Sequence, residues 1–295
     1  MSILLGVLVG GIAFGSVYAM LAIGFSLLWQ MSRTINFAQG DFVTVVGFVF
    51  VAFAVTLGWP LALAAAAAVV VAAILLGIVV RKTIIARLLR HGVLPLVVAS
   101  IALSILIQNF FVAFVTAQAE PAPSLFPTGV IHVDGVSIGV DQIGNFVVAT
   151  LMIVALQIFL HRTRTGKALR ATAQNGAAAR VVGIDPARMI TIAFVINAVL
   201  VAVAAILLSP IFAVQYNQGT GLGLDAFYAA IIGGFNRIRG ALVGGVLVGL
   251  LESVGAAYVS SAYDTGIVVA VLMIVLLVRP EGLLGARELV REYHE

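Results

Sequence analysis

The side chains able to do chemistry are few in this chain. Lys+Arg number 16 and Asp+Glu 12 among 295 residues, and 62% of the sequence is apolar. Glu252 is the one carboxylate deep in an apolar run, with Asp225 near the end of another. A charge at such depth in a bilayer costs about 3 kcal/mol or more, so Glu252 must face protein and be paired or protonated. Two roles fit it equally: a place on a translocation path or gating hydrogen bond, and a plain interhelical bond with Asn197 or Asn109 as partner. Asn36, Gln39 and Asp41 cluster before the second apolar run, where they suit the inner mouth of a pore or, more simply, a helix cap. Gln108 and Asn109 are adjacent and so project from different faces of a helix. Other chemistry lacks its residues. Cysteine is absent, which removes disulfides and thiolate metal sites, and the histidines at 91, 132, 161 and 294 have no ligand spacing, so no metal is expected. There is no G-x-S-x-G, no H-E-x-x-H and no phosphate-binding loop, because Gly166-Lys167 is followed by Ala168. No catalytic residue is expected, and any ATP used must be hydrolysed by another subunit.

The elements that carry these residues are membrane helices. Charged residues make up 9% of the chain, against roughly a quarter in soluble proteins. The charges cluster between long apolar runs, which argues against the alternating strands of a membrane barrel. The predicted fold is all-α, a polytopic helical bundle of eight or nine spans forming a single domain over 1–295. Crossings are placed at 3–29, 42–58, 61–80, 93–115, 143–160, 189–208, 222–235, 241–259 and 266–278, with Gly58-Trp59-Pro60 as a turn. With the N-terminus outside, all 16 basic residues fall on one side. By the positive-inside rule that side is cytoplasmic. The segment 222–235 holds Asp225 and three glycines and is short for a crossing, so it reads as a broken or re-entrant helix. Were it not to cross, Arg237 and Arg239 would lie outside.

The longest basic connection, His161 to Arg188, is too patterned for a linker. Lys167, Arg170, Ala171 and Gln174 recur at helical intervals, and Ala177, Ala178 and Val181 continue the rhythm. One or two short helices should end at Gly183, and Asp185-Pro186 should cap and start the next span. Asn175-Gly176-Ala177-Ala178-Ala179 is nearly bare of side chains, so another protein's groove can approach it closely; a loop that only binds lipid has no need of this smoothness.

The run T-G-K-A-L-R-A-T-A-Q-N-x-x-x-A-R-x-x-G-I from Thr165 to Ile184 closely resembles the cytoplasmic coupling loop of branched-chain amino-acid ABC transporter permeases. So do Ile35-Asn36-Phe37-Ala38-Gln39-Gly40-Asp41, Gln108-Asn109, Pro123-Ser124-Leu125-Phe126, Gly233-Gly234-Phe235 with Gly240-Ala241, and Arg279-Pro280-Glu281-Gly282-Leu283-Leu284-Gly285, in order. The resemblance implies a multi-pass permease of the bacterial inner membrane that pairs with a second homologous permease. It also implies two cytoplasmic ATPase subunits using ATP and Mg, a periplasmic substrate-binding protein, membrane lipid as surroundings, and no nucleic acid. Gln174, Asn175, Ala177, Ala178, Arg180, Gly183 and Ile184 would then be the ATPase-coupling residues, and Asn36, Gln39, Asn109, Asn197 and Glu252 the expected pathway residues. One departure is Asn236-Arg237-Ile238-Arg239, where relatives carry small residues or proline. Gly6 and Gly10, with Gly11 and Gly15, match Gly240 and Gly244, with Gly245 and Gly249, in spacing, and are expected to pack helices closely. The weakly charged spans suit branched-chain or other hydrophobic amino acids; urea or short amides in the same family, and a stand-alone carrier with a merely anchoring loop, are the alternatives.

Overall fold

The computed structural model describes residues 2–88, 92–127, 129–133 and 136–285. His91, Asp134 and His294 lie outside the described residues. Helix α1, Ser2–Ser32, holds neither proline nor charge and runs unbroken for 31 residues, about 46 Å at the usual rise. After it come α2 (Gln39–Val51, continued by a π-helical turn Ala52–Thr56), α3 (Leu61–Ala72, continued as π-helix Ala73–Ile85 into α4, Ala86–Leu88) and α5 (Val93–Phe114). A hairpin of β1 (Val130–Val133) and β2 (Val136–Gly139) then precedes α6 (Val140–Arg162), α7 (Arg164–Gln174), α8 (Gly176–Val181), α9 (Pro186–Phe212), α10 (Gln218–Gly233), α11 (Ile238–Tyr258) and α12 (Asp264–Val278). Among the described residues, seven helices are long and apolar enough to cross a membrane; α10 and α12 are shorter. The polytopic helical bundle is therefore observed, and the hairpin lies between the expected crossings 93–115 and 143–160.

Burial divides the helices into an inner and an outer set. The most apolar windows of α2 and α9 are 61% buried, whereas that of α5 is 22% buried. Leu106, Phe110 and Phe114 of α5 and Leu277 of α12 are exposed, as expected of residues facing lipid or another chain.

Helix α1 packs chiefly on α11 through glycines. A Cβ on Gly15 would stand 2.7 Å from Val246 Cα and 2.9 Å from Gly245 O, so only hydrogen fits there. Gly11 meets Gly249 and Leu250 in the same seam. Gly240 and Gly244 face α10 instead, against Gly233 and Ala229. Gly6 and Gly10 have only ordinary contacts, the nearest at 3.9 and 3.6 Å. The close face of α1 is thus one position on from the Gly6–Gly10 pair.

Helix α10 spans about 24 Å by its 16 residues and starts inside the bundle, where Gly219 and Gly223 press on Gly40 and Asp41 of α2. Its start lines an outer cavity with Phe212 and Asp264. Its end is held by the Arg279–Gly285 motif, where Leu283 N–H donates to Ile232 O (2.8 Å) and Leu284 N–H to Gly233 O (3.1 Å). Those carbonyls have no partner within their own helix, and the motif supplies it. Gly234 and Gly282, both at positive φ (105° and 83°), let the two segments touch. Arg237 and Arg239 therefore lie at the same end as Arg279, which keeps the basic residues together.

Candidate functional site

At the basic end, α7 and α8 form an elbow. Thr163 caps α7 by accepting from Gly166 N–H (2.9 Å), and Gly166 sits against the Phe159 carbonyl, pinning α7 to the end of α6. Asn175 caps α8 by accepting from Ala178 N–H (2.9 Å). Gly183 turns the chain at φ 83°, and Asp185 caps α9 through Ala187 N–H (2.9 Å) with Pro186 at its first position. Gln174, Asn175, Ala177, Ala178, Arg180 and Gly183 are exposed, Ile184 is half-buried, and Ala179 is the buried side chain of α8. Val181 and Val182 are 88% and 74% exposed at this polar end. They follow directly on the exposed Arg180, and sequence reading missed both valines as surface residues.

The start of α2 is deeper than its sequence position implied. Gln39 Nε2 donates to Leu21 O (3.3 Å), eleven residues before the end of α1, or about 16 Å along that helix. Phe37 N–H likewise meets Ser100 Oγ (3.1 Å), seven residues into α5. The segment 33–38 climbs back along α1 after a turn at Arg33 (φ 53°), so Asn36, Gln39 and Asp41 lie inside the bundle, away from the end of α1. The side-chain cap expected there is not formed: the N-cap of α2 is Ala38, and Asn36 Oδ1 accepts from Ala38 N–H (3.2 Å) in the turn that precedes the helix. Asn197 presses its Oδ1 into the notch at Gly24, with Gln39 Nε2 beside it. Gln39 Oε1, Asn36 Nδ2 and Asn197 Oδ1 have no hydrogen-bond partner among the described residues, a rare state for buried polar atoms.

Gln108 reaches into the same region and Asn109 does not. Gln108 Nε2 donates to Asp41 Oδ1 (2.9 Å) and to Thr220 Oγ1 (2.8 Å), tying α5 to α2 and α10. Asn109 is exposed and folds back on Ile105 O (2.8 Å). Gly40, Gly219 and Gly223 bring the backbones of α2 and α10 into contact beneath this network, and Thr44 Oγ1 accepts from Gly219 N–H (3.0 Å).

At the outer end, Glu252 lines a cavity of about 520 Å³ together with Asp225, Asp264, Gln218 and Tyr18. Its partner is Tyr18, to which it is hydrogen-bonded; of the partners expected from sequence, Asn197 lies against Gly24 and Asn109 bonds Ile105 O. Three carboxylates share the cavity, and the short α10 carries one of them. Glu120 and Val214 exchange both backbone hydrogen bonds (2.9 and 2.8 Å), joining the link between α5 and β1 to the α9–α10 link.

Residues 7–278 match the profile of a family described as branched-chain amino acid transport system / permease component. The chain is 35% identical to the high-affinity branched-chain amino acid transport system permease protein BraD of Pseudomonas aeruginosa, over 95% of each chain. It is 32% identical to the corresponding LivH of Escherichia coli over 94% of each. Among solved structures, PsaBC of Streptococcus pneumoniae in complex with Fab matches with TM-score 0.52 and 15% identity, over 95% of this chain and 93% of that one, a likeness of fold. With this ladder of helices and the profile covering nearly its whole length, the chain belongs to the branched-chain amino acid transport system permease family.

Proposed function

We propose that this protein is the membrane subunit of an ATP-driven importer of branched-chain or other hydrophobic amino acids in a bacterial cytoplasmic membrane. It works with a second, homologous permease, two cytoplasmic ATPase subunits that bind ATP and Mg, and a periplasmic binding protein that delivers the solute. The observation that carries this reading is the α7–α8 elbow, a rigid pair of capped helices that offers Ala177, Ala178, Val181 and Val182 to a partner. Burying one such valine contributes about 2 kcal/mol, and the missing side chains at Gly176–Ala178 permit close approach. Arg180 and Arg170 add charge-assisted contacts at its rim. Asn109, exposed on the apolar α5, favours a second permease on that face, since its amide, with one bond back to Ile105 O, keeps polar capacity that lipid cannot meet. The names of the relatives support the solute class.

The test is uptake of radiolabelled leucine by proteoliposomes holding the chain with its partner permease, ATPases and binding protein. Uptake should require ATP and Mg and cease when the ATPases are left out. Leucine transport by the chain alone, driven by an ion gradient, would replace the importer with a stand-alone carrier.

A further inference from the structure

A cavity of about 190 Å³ lies where the starts of α2 and α10 meet the middle of α5. A single water needs only about 15 Å³ of comparable space, so a small solute fits. Its lining is of two unlike kinds. Asp41, Ser104 and Thr220 supply the polar part. Phe25, Phe37 and Phe227 supply the aromatic one, with Phe227 at 5.9 Å from Phe25 and from Phe37, ring centre to ring centre.

The polar part is built, and its charge is not balanced by its holders. Asp41 is 1% exposed. Its carboxylate accepts from the Gln108 amide (2.9 Å) and from the Ser104 hydroxyl, both uncharged donors. Gln108 is fixed in turn by Thr220 (2.8 Å), and a Cβ on Gly223 would meet Gly40 Cα at 2.6 Å, so the helices bearing these groups are locked together. A buried carboxylate calls for a cationic partner, and the open side of this one is the cavity. The positive end of the α10 dipole stands beside it for an anionic group.

We propose that this cavity is a transit site for a zwitterionic solute with a primary ammonium and a short aliphatic body. Asp41 takes the ammonium and the three phenylalanines enclose the body. The proposal deepens the importer reading and rests on it. It explains why α2 begins inside the bundle: the break in the helix brings a carboxylate to mid-depth against a second helix start. Neutral amides such as urea lack the ammonium and would gain nothing from Asp41.

The sequence holds no cysteine, so one thiol at Leu224→Cys, on the cavity lining, reports occupancy. The assembled importer is turned over in proteoliposomes with leucine-loaded or leucine-free binding protein, and labelling by a small thiol reagent is timed. Leucine should slow labelling at least fivefold. Separately, Asp41→Asn, which keeps an oxygen for Gln108, should lower leucine uptake at least tenfold while its partners still copurify. Labelling indifferent to leucine, or Asp41→Asn uptake within twofold of the parent, would overturn the transit site and leave the importer standing. If Asp41→Asn fails to assemble, the labelling arm decides, because it keeps Asp41. A parent chain with no ATP-driven uptake would remove the importer reading and this site with it.

Discussion

Replacing Gly15 by alanine adds one methyl to the seam between α1 and α11. The new carbon would lie 2.7 Å from Val246 Cα, 2.9 Å from Gly245 O and 3.0 Å from Val246 O, all backbone atoms that no rotamer change can move. Carbon contacts settle near 3.5–4.0 Å, so the helices must part by about 1 Å, and a gap of that size forfeits a quarter to a half of each dispersion contact along the seam. Overpacking of this kind costs about 1–3 kcal/mol, and helix association in lipid has little besides packing to offset it. Gly10→Ala is the control, with its nearest neighbour, Gln142 Nε2, at 3.6 Å; it should cost under about 0.5 kcal/mol. Thermal unfolding of both variants in the same mild detergent, followed by size-exclusion fluorescence, reads the difference. Equal midpoints for Gly15→Ala and Gly10→Ala would refute the claim that the Gly11–Gly15 face is the close one.

Other changes have outcomes worked from the same contacts. Ala178→Glu places a charged side chain on the smooth face of α8 and should abolish ATP-driven uptake with membrane insertion intact; normal uptake would dismiss the elbow as a coupling surface. It is a cleaner change than Gly183→Trp, because Gly183 holds φ at 83° and any larger residue strains the turn. Asn175→Ala removes the oxygen that caps α8 and should destabilise the elbow by about 1 kcal/mol, seen as faster amide exchange there and unchanged exchange in α9. Leu283→Pro deletes the N–H bonded to Ile232 O and should lower the unfolding midpoint by the equivalent of about 1–3 kcal/mol; an unchanged midpoint would mean the motif does not cap α10. Tyr18→Phe strips Glu252 of its hydroxyl partner and should destabilise the protein, whereas Glu252→Gln, which still bonds Tyr18, should destabilise it less; the reverse order in thermal unfolding would count against the pairing.

The helices were legible because a bilayer demands long apolar runs. The elbow was legible for local reasons: Asn175, Gly183 and Asp185-Pro186 specify caps and turns within a few residues. What sequence did not give was depth. Asn36, Gln39 and Asp41 precede an apolar run and so read as its edge, but the climb of 33–38 inside the bundle depends on Leu21 and Ser100, far away in the chain. The glycine faces failed for a similar reason, since Gly10 and Gly11 differ by one position in spacing and only the partner helix shows which is pressed. The pairing of Glu252 with Tyr18 and of Asp41 with Gln108 is likewise set by helix packing. The exposed valines had a signal that could have been used: Val181-Val182 follow directly on Arg180 in a basic segment, where apolar side chains have no lipid to enter.

The account stands or falls on whether the elbow holds ATPases. The direct measurement is affinity purification of the tagged chain in mild detergent, with and without Ala178→Glu, and mass identification of what copurifies. Two ATPase subunits and a second permease should come down with the parent chain, and the ATPases should be lost from the Ala178→Glu chain. Recovery of the parent chain alone in several detergents, or ATPases held equally by both forms, would contradict it.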